Sequence, residues 1–182
     1  LFFGSPTRNA DAVQLRRRVG LLLQTPYLFH DTVLGNITWG LKLRGMSRRK
    51  SEELARDALL QVGLEGFADR YARSLSGGES QRLKIASELT NQSNIYIMDE
   101  PTTGLHMSDI DNFYRIIRTF VAQNNTVIII EHNLDIIKHA DWIIDMGPEG
   151  GKDGGEVLFQ GVPEDLIQCN DSYTGKYLKR LI

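Results

Sequence analysis

Short continuous apolar runs alternate along the chain with amphipathic stretches, a pattern that predicts strands joined by helices. Val19-Gly20-Leu21-Leu22-Leu23, Ile95-Tyr96-Ile97-Met98, Thr126 to Ile130, Trp142-Ile143-Ile144 and Glu156 to Phe159 read as strands. Among the helical stretches, Asn9 to Arg18 is the first, and Asp31 can cap a second that runs through Leu41. Ser47 opens a third, with Leu54, Ala58, Leu59 and Val62 as its apolar stripe and Gly63 as its stop. Ser76 starts a fourth with Leu83, Ala86 and Leu89 on one side, and Ile110, Phe113, Tyr114, Ile117 and Val121 mark a fifth. Asp135 to His139 forms a helical turn. Apolar strands separated by helices specify an α/β chain with a largely parallel sheet covered on both faces. Ligands of such sheets sit beyond the carboxyl ends of the strands. Gln24, Asp99, Glu100 and His132 all fall at such ends.

The length of 182 residues suits one main core. With 41% hydrophobic and 24% charged residues the bulk of the chain is neither disordered, collagen-like nor coiled coil. The longest uncharged stretches, Val19 to His30 and Thr119 to Ile130, fall short of the ~20 apolar residues that span a bilayer. A single cysteine, Cys169, excludes an intramolecular disulfide and any zinc site built on two or more thiolates, and fits a reducing, cytoplasmic setting. The net charge of −2 conceals an asymmetry: residues 1–90 sum to +5 and residues 91–182 to −7. The densest basic stretch, Arg44 to Arg56, contains Glu52 and Glu53, so it reads as a solvated helix before it reads as a nucleic-acid footprint.

An apolar strand ending in Asp99-Glu100 supplies what magnesium-nucleotide chemistry needs: one carboxylate for the metal and a second to orient an attacking water. Two acidic residues at a surface strand end are the plainer alternative. Pro101 disfavours the helical region for Glu100, which points its side chain differently from a helix N-terminal glutamate. Ser76 and Glu79, three apart, form a capping box. The consecutive Gly77 and Gly78 are not required by a cap, however, and they let backbone N–H groups approach an anion, so a structural cap and a phosphate-facing helix end stand side by side. His132, beside Glu131 at a strand end, is a candidate for polarising a phosphate oxygen.

Taken in order, Gln24, then Leu-Ser-Gly-Gly-Glu-Ser-Gln-Arg at 75–82, then Ile-Tyr-Ile-Met-Asp-Glu-Pro at 95–101, then His132 resemble the Q-loop, signature motif, Walker B motif and switch histidine of ABC-type ATPases. The resemblance implies a P-loop NTPase-like fold with a mostly parallel sheet flanked by helices and a small helical subdomain, and ATP and Mg²⁺ as ligands. It implies Gln24 near Mg²⁺ and the attacking water, Asp99 on Mg²⁺, Glu100 as general base and His132 at the γ-phosphate. Ser76, Gly77, Gly78 and Glu79 would face ATP held by a second ABC ATPase module. On this reading the whole chain, 1–182, is a partial ABC ATPase domain, with a helical subdomain at approximately 28–90 inserted into a catalytic core of 1–27 and 91–182.

Within that family the likeness is divided. From about Gly77 onward, Asp-Glu-Pro-Thr-Thr-Gly-Leu-His at 99–106, Glu-His-Asn-Leu-Asp-Ile-Ile-Lys at 131–138 and Ser-Tyr-Thr-Gly-Lys-Tyr-Leu-Lys at 172–179 resemble the C-terminal ATPase domain of the damage-recognising component of the bacterial nucleotide excision repair excinuclease. Upstream, Gln24 to Ile37 and the stretch 38–74 resemble the nucleotide-binding subunit of an ABC transporter, which presents this region to a membrane partner. The two resemblances imply different partners: DNA and repair proteins, or a membrane transport subunit. A join near residue 77 fits both, and a recombined or truncated fragment without catalysis is a further alternative. No Gly-x-x-x-x-Gly-Lys-[Ser/Thr] occurs in the 182 residues. The resemblance puts that Walker A part upstream of Leu1, a placement in keeping with a first methionine only at Met46. The excinuclease family's zinc-bearing DNA-recognition modules have no counterpart in the fifty ordinary residues between Gln24 and Ser76.

Overall fold

Three strands hydrogen-bond in parallel and in register: Val19–Leu22 (β1), Ile95–Asp99 (β2) and Thr126–Ile130 (β3), in the order β1-β2-β3. Val19 pairs with Ile95 and Leu22 with Met98, while Ile95 pairs with Thr126 and Asp99 with Ile130. The computed structural model describes residues 12–25, 27–91, 93–148 and 155–182. It divides into two units after Ile130. A short helix, Ala12–Arg17 (α1), precedes β1, while residues 9–11 of the expected first helix lie outside the described residues.

The helices of the first unit follow from local chemistry. Thr32, not Asp31, caps the helix Val33–Leu43 (α2), accepting the Gly35 N–H at 3.0 Å. Asp31 is engaged one residue earlier, its carboxylate taking the Thr32 N–H at 2.7 Å. Ser47 caps Arg48–Gln61 (α3), and Gly63 ends it with a φ of 67° that a side chain would strain. The inward stripe of α3 carries Ala55, Ala58 and Leu59, with Leu54 only half-buried. Ser76 and Glu79 close a complete capping box on Gly77–Leu89 (α4). α2, α3 and α4 pack pairwise, burying Val33, Ile37, Leu41, Leu59, Leu83 and Ile85. Met107–Ala122 (α5) buries Ile110, Phe113, Ile116, Ile117 and Phe120.

α4 and α5 cover one face of the sheet. Leu22 and Met98 are fully buried there, and the Tyr96 ring packs on Phe120 with centroids 4.3 Å apart. The opposite face is less covered than continuous apolar strands lead one to expect. Leu21, Ile128 and Ile130 remain 52%, 48% and 55% exposed. At the far end of α4, Glu88 is only 8% exposed, accepts from Asn91 Nδ2 at 3.0 Å, and sits where Gly20 approaches. The Tyr96 hydroxyl donates to the Asn91 carbonyl at 2.8 Å, and the Arg44 guanidinium donates to the Asn91 side chain. Burial pushes the Glu88 carboxyl above its ordinary range.

The second unit holds Leu134–Ile137 (α6), the strands Ile143–Gly147 (β4) and Glu156–Gly161 (β5), Pro163–Leu166 (α7) and Tyr173–Leu178 (α8). β4 and β5 pair antiparallel in a sheet of their own, with a register irregularity at Asp145/Met146. They therefore depart from the expected parallel arrangement. The physical reason is the connection: eight residues suffice for an antiparallel turn, whereas a parallel crossover takes a dozen or more. Asp145 accepts hydroxyl protons from Ser172 at 2.6 Å and Thr174 at 3.0 Å, tying β4 to α8. No helix of the described residues is long and apolar enough to cross a membrane.

Two stability measurements check this packing. A Cβ on Gly20 would lie 2.6 Å from Glu88 Oε2 and 2.7 Å from the Tyr96 ring, so Gly20→Ala is expected to cost about 1–3 kcal/mol in urea unfolding. The raised Glu88 carboxyl favours folding while protonated, so its contribution is full below the ordinary glutamate range and fades as pH rises through its folded-state value. The stability of Glu88→Gln relative to the parent is expected to increase as pH rises through that window. An unchanged difference at every pH would contradict the assignment.

Candidate functional site

The register of β1 on β2 carries Gln24, two residues past Leu22, to Glu100, one residue past Asp99. Gln24 Nε2 donates to Glu100 Oε2 at 2.5 Å across 76 positions of sequence. Thr103 Oγ1 donates to the same carboxylate oxygen at 3.2 Å. Glu100 itself has φ of 43°, in the left-handed region, a conformation that costs a non-glycine residue about 1–3 kcal/mol unless its surroundings impose it. Here they do: the Glu100 N–H donates to the Ile130 carbonyl at 2.9 Å, and its own carbonyl accepts from the Thr103 N–H at 3.1 Å. The expectation that Pro101 keeps Glu100 out of the helical region is met by this left-handed turn.

α4 is attached to the same turn from the other side. Gln81, buried in its second turn, donates from Nε2 to the Pro101 carbonyl at 3.1 Å. A Cβ on Gly78 would stand 3.1 Å from the Gly104 carbonyl, whereas Gly77 has open space around it. Glu79 is absorbed by the cap: it accepts the Ser76 N–H at 2.7 Å, and that hydrogen bond holds its carboxyl below the ordinary range. The structure thus brings Gln24, Asp99 and Glu100 to one end of the sheet and links Ser76, Gly77, Gly78 and Glu79 to it through the 101–104 loop. His132 opens the second unit, exposed, with its backbone N–H donating to Glu131 Oε2 at 2.9 Å. The same oxygen accepts the Asn133 N–H at 3.0 Å, and Asn133 caps α6.

Sequence reasoning passed over two residues here. Gln81 had a signal, a polar side chain in phase with the buried Ile85 and Glu88 of α4. Thr103 had none beyond its place in a Thr-Thr-Gly turn. Among the described residues no group of three or more His, Cys, Asp and Glu side chains could hold a metal by itself. A cation at the Asp99 end would therefore need oxygen ligands from elsewhere, as magnesium bound with a nucleotide takes from phosphates and water.

Comparison with known proteins agrees with this arrangement. UvrABC system protein A of Staphylococcus aureus (strain COL) is 54% identical over 129 residues, a match covering 68% of this chain and 14% of that protein. The chain therefore spans about a seventh of the length of the curated relatives it matches. That coverage exceeds what residues 77–182 account for, so the likeness begins upstream of the Ser-Gly-Gly-Glu stretch. Among solved structures, UvrA2 from Deinococcus radiodurans is 40% identical with a TM-score of 0.61, covering 72% of this chain and 17% of that one. A bacterial Atm1-family ABC exporter with ATP bound gives 26% identity and a TM-score of 0.74, covering 93% of this chain and 29% of that one. The family described as ABC transporter matches residues 1–103, more than half of the chain. With the parallel sheet, the motif order and these matches together, the chain belongs to the ABC transporter family, has the ABC ATPase form of the P-loop NTPase fold, and resembles UvrA.

Proposed function

We propose that these residues form the C-terminal part of an ABC-type ATPase module, most like that of the DNA-repair excinuclease protein UvrA, and that ATP is hydrolysed between this module and a second one. The observation that carries the reading is the Gln24–Glu100 hydrogen bond, which gathers an amide and a carboxylate at the ends of adjacent parallel strands beside Asp99. That set of hard oxygen donors fits a magnesium nucleotide. Asp99 and the Gln24 side-chain oxygen would hold Mg²⁺, which when bound would neutralise charge developing on the transferred phosphoryl group. Glu100 accepts the proton of the attacking water, with Gln24 and Thr103 fixing its carboxylate orientation. His132 donates to a γ-phosphate oxygen. Ser76, Gly77, Gly78 and the Glu79-held cap present the positive end of α4 to the γ-phosphate carried by the second module. The 182 residues hold no Gly-x-x-x-x-Gly-Lys-[Ser/Thr], so a phosphate-cradling loop and its lysine would have to be supplied by another segment.

A second reading, a transporter nucleotide-binding subunit, draws support from one surface. Tyr27, Phe29 and Trp39 are exposed in the segment that follows Gln24, with Tyr27 edge-on to Phe29 at 5.8 Å and Phe29 packed at a tilt on Trp39 with centroids 4.6 Å apart. An aromatic cluster of that kind suits the cytoplasmic helix of a membrane partner.

The test uses the chain joined to an upstream Gly-Lys-Ser/Thr segment, with phosphate release and Mg-ATP binding measured separately. Glu100→Gln is expected to lower kcat by about 10²–10⁴-fold while ATP binding persists. Absence of turnover in the joined parent would instead support a recombined or truncated fragment without catalytic activity. Duplex DNA is expected to change the ATPase rate. A rate indifferent to DNA but altered by Trp39→Ala in the presence of a membrane transport subunit would favour the second reading.

A further inference from the structure

α8 presents a face that the nucleotide chemistry does not use. Ser172, Gly175 and Leu178 point inward and are buried, the helix being held by the Ser172 and Thr174 bonds to Asp145. A side chain on Gly175 would strike the Leu166 carbonyl, so the close seating of α8 on α7 fixes which residues turn outward. On α8 those are Tyr173, Lys176 and Tyr177, at i, i+3 and i+4, and Arg180 follows in the turn just past the helix end. Tyr173 and Tyr177 are 59% and 55% exposed. Lys176 Nζ lies 5.0 Å from the Tyr173 ring centroid and the Arg180 guanidinium 5.4 Å from that of Tyr177.

Residues 172–182 carry Lys176, Lys179 and Arg180 and no acidic side chain, in the half of the chain whose charge sums to −7. A cationic stripe in an otherwise acidic half is a local departure from the charge of its surroundings. The contrast with Arg44 to Arg56 is informative, because there Glu52 pairs with Arg48 at 2.7 Å and no aromatic side chain intervenes. Here Lys176 and Arg180 each stand over an exposed ring. Rings that take stacked bases, flanked by cations that take phosphates, are the elements of sequence-tolerant single-strand binding.

We propose that the Tyr173/Lys176/Tyr177 face of α8, with Lys179 and Arg180 in the turn that follows it, binds single-stranded nucleic acid by base stacking on the two tyrosines and phosphate contact with the three cations. The site goes beyond the ATPase reading and works without nucleotide. The affinity belongs to the about 1–100 μM range of non-specific nucleic-acid binding.

The experiment titrates the full 182-residue chain into a fluorescein-labelled 12-mer oligothymidine, followed by anisotropy between 50 and 200 mM salt. The expected slope of log K against log salt is about −2, for three neutralised phosphates on a single strand. Tyr173→Leu/Tyr177→Leu is expected to weaken binding about tenfold or more at every salt concentration, since a stacked base contributes about 5–150-fold. Lys176→Gln/Lys179→Gln/Arg180→Gln is expected to flatten the slope, with circular dichroism unchanged in both variants. For a variant that fails to fold, nitration of the parent chain with tetranitromethane replaces it: the oligonucleotide is expected to protect Tyr173 and Tyr177, and unprotected tyrosines overturn the site. No binding at 50 mM salt, binding unaffected by the tyrosine changes, or adsorption of the same face to anionic phosphatidylserine vesicles in preference to the oligonucleotide would each overturn the proposal.

Discussion

Everything at the candidate site rests on the parallel register of β1 on β2. A slip of one residue would send Leu22 to the bare face of the sheet and draw Gln24 away from Glu100, because side chains alternate faces with a period of two. The register is pinned where the strand is thinnest. A side chain at Gly20 would press on Glu88 and Tyr96, so glycine at that position favours the close approach of β1 to α4. A backbone contact near the start of the strand thus determines which polar groups meet beyond its end.

α4 relays this constraint along its length. Its C-terminal end is fastened by Glu88, Asn91 and Tyr96 beside β1 and β2, and its second turn by Gln81 to the Pro101 carbonyl. The capping box of Ser76 and Glu79 completes the N-terminal end. The glycines of that first turn are therefore held by bonds at both ends of the helix that carries them. Glu100, whose left-handed backbone is held by hydrogen bonds to Ile130 and Thr103, stands at the other side of the same loop. Local strain and helix anchoring meet in five consecutive residues, 100–104.

Much of this was legible in the sequence, and the exceptions have physical causes. The runs at 19–23, 95–98 and 126–130 gave strands because continuous apolarity in short segments marks buried parallel pairing. Ser47, Gly63 and the Ser76/Glu79 box marked helix ends through chemistry local enough to read from a few residues. Asp31 misled because two adjacent oxygen-bearing side chains both accept backbone N–H groups, and only the backbone angles at Thr32 decide which is the cap. The antiparallel pairing of β4 and β5 lay hidden because an apolar run does not encode its partner's direction. Thr103 and the Gln24–Glu100 contact are long-range consequences of strand pairing, so the motif order named the residues while only the fold could say that two of them touch. The roles assigned to them come from the family resemblance and not from spacing.

Gly77 and Gly78 look equivalent in sequence, yet they answer to different demands. Gly78 abuts the Gly104 carbonyl within its own unit, whereas Gly77 faces open space. In a lineage that had abandoned hydrolysis, relaxed selection would let position 77 drift toward better helix formers such as alanine. Position 78 would stay glycine for as long as the loop at 101–104 kept its shape. The two glycines therefore differ in what constrains them: the fold itself crowds position 78, whereas at position 77 it leaves room for a side chain.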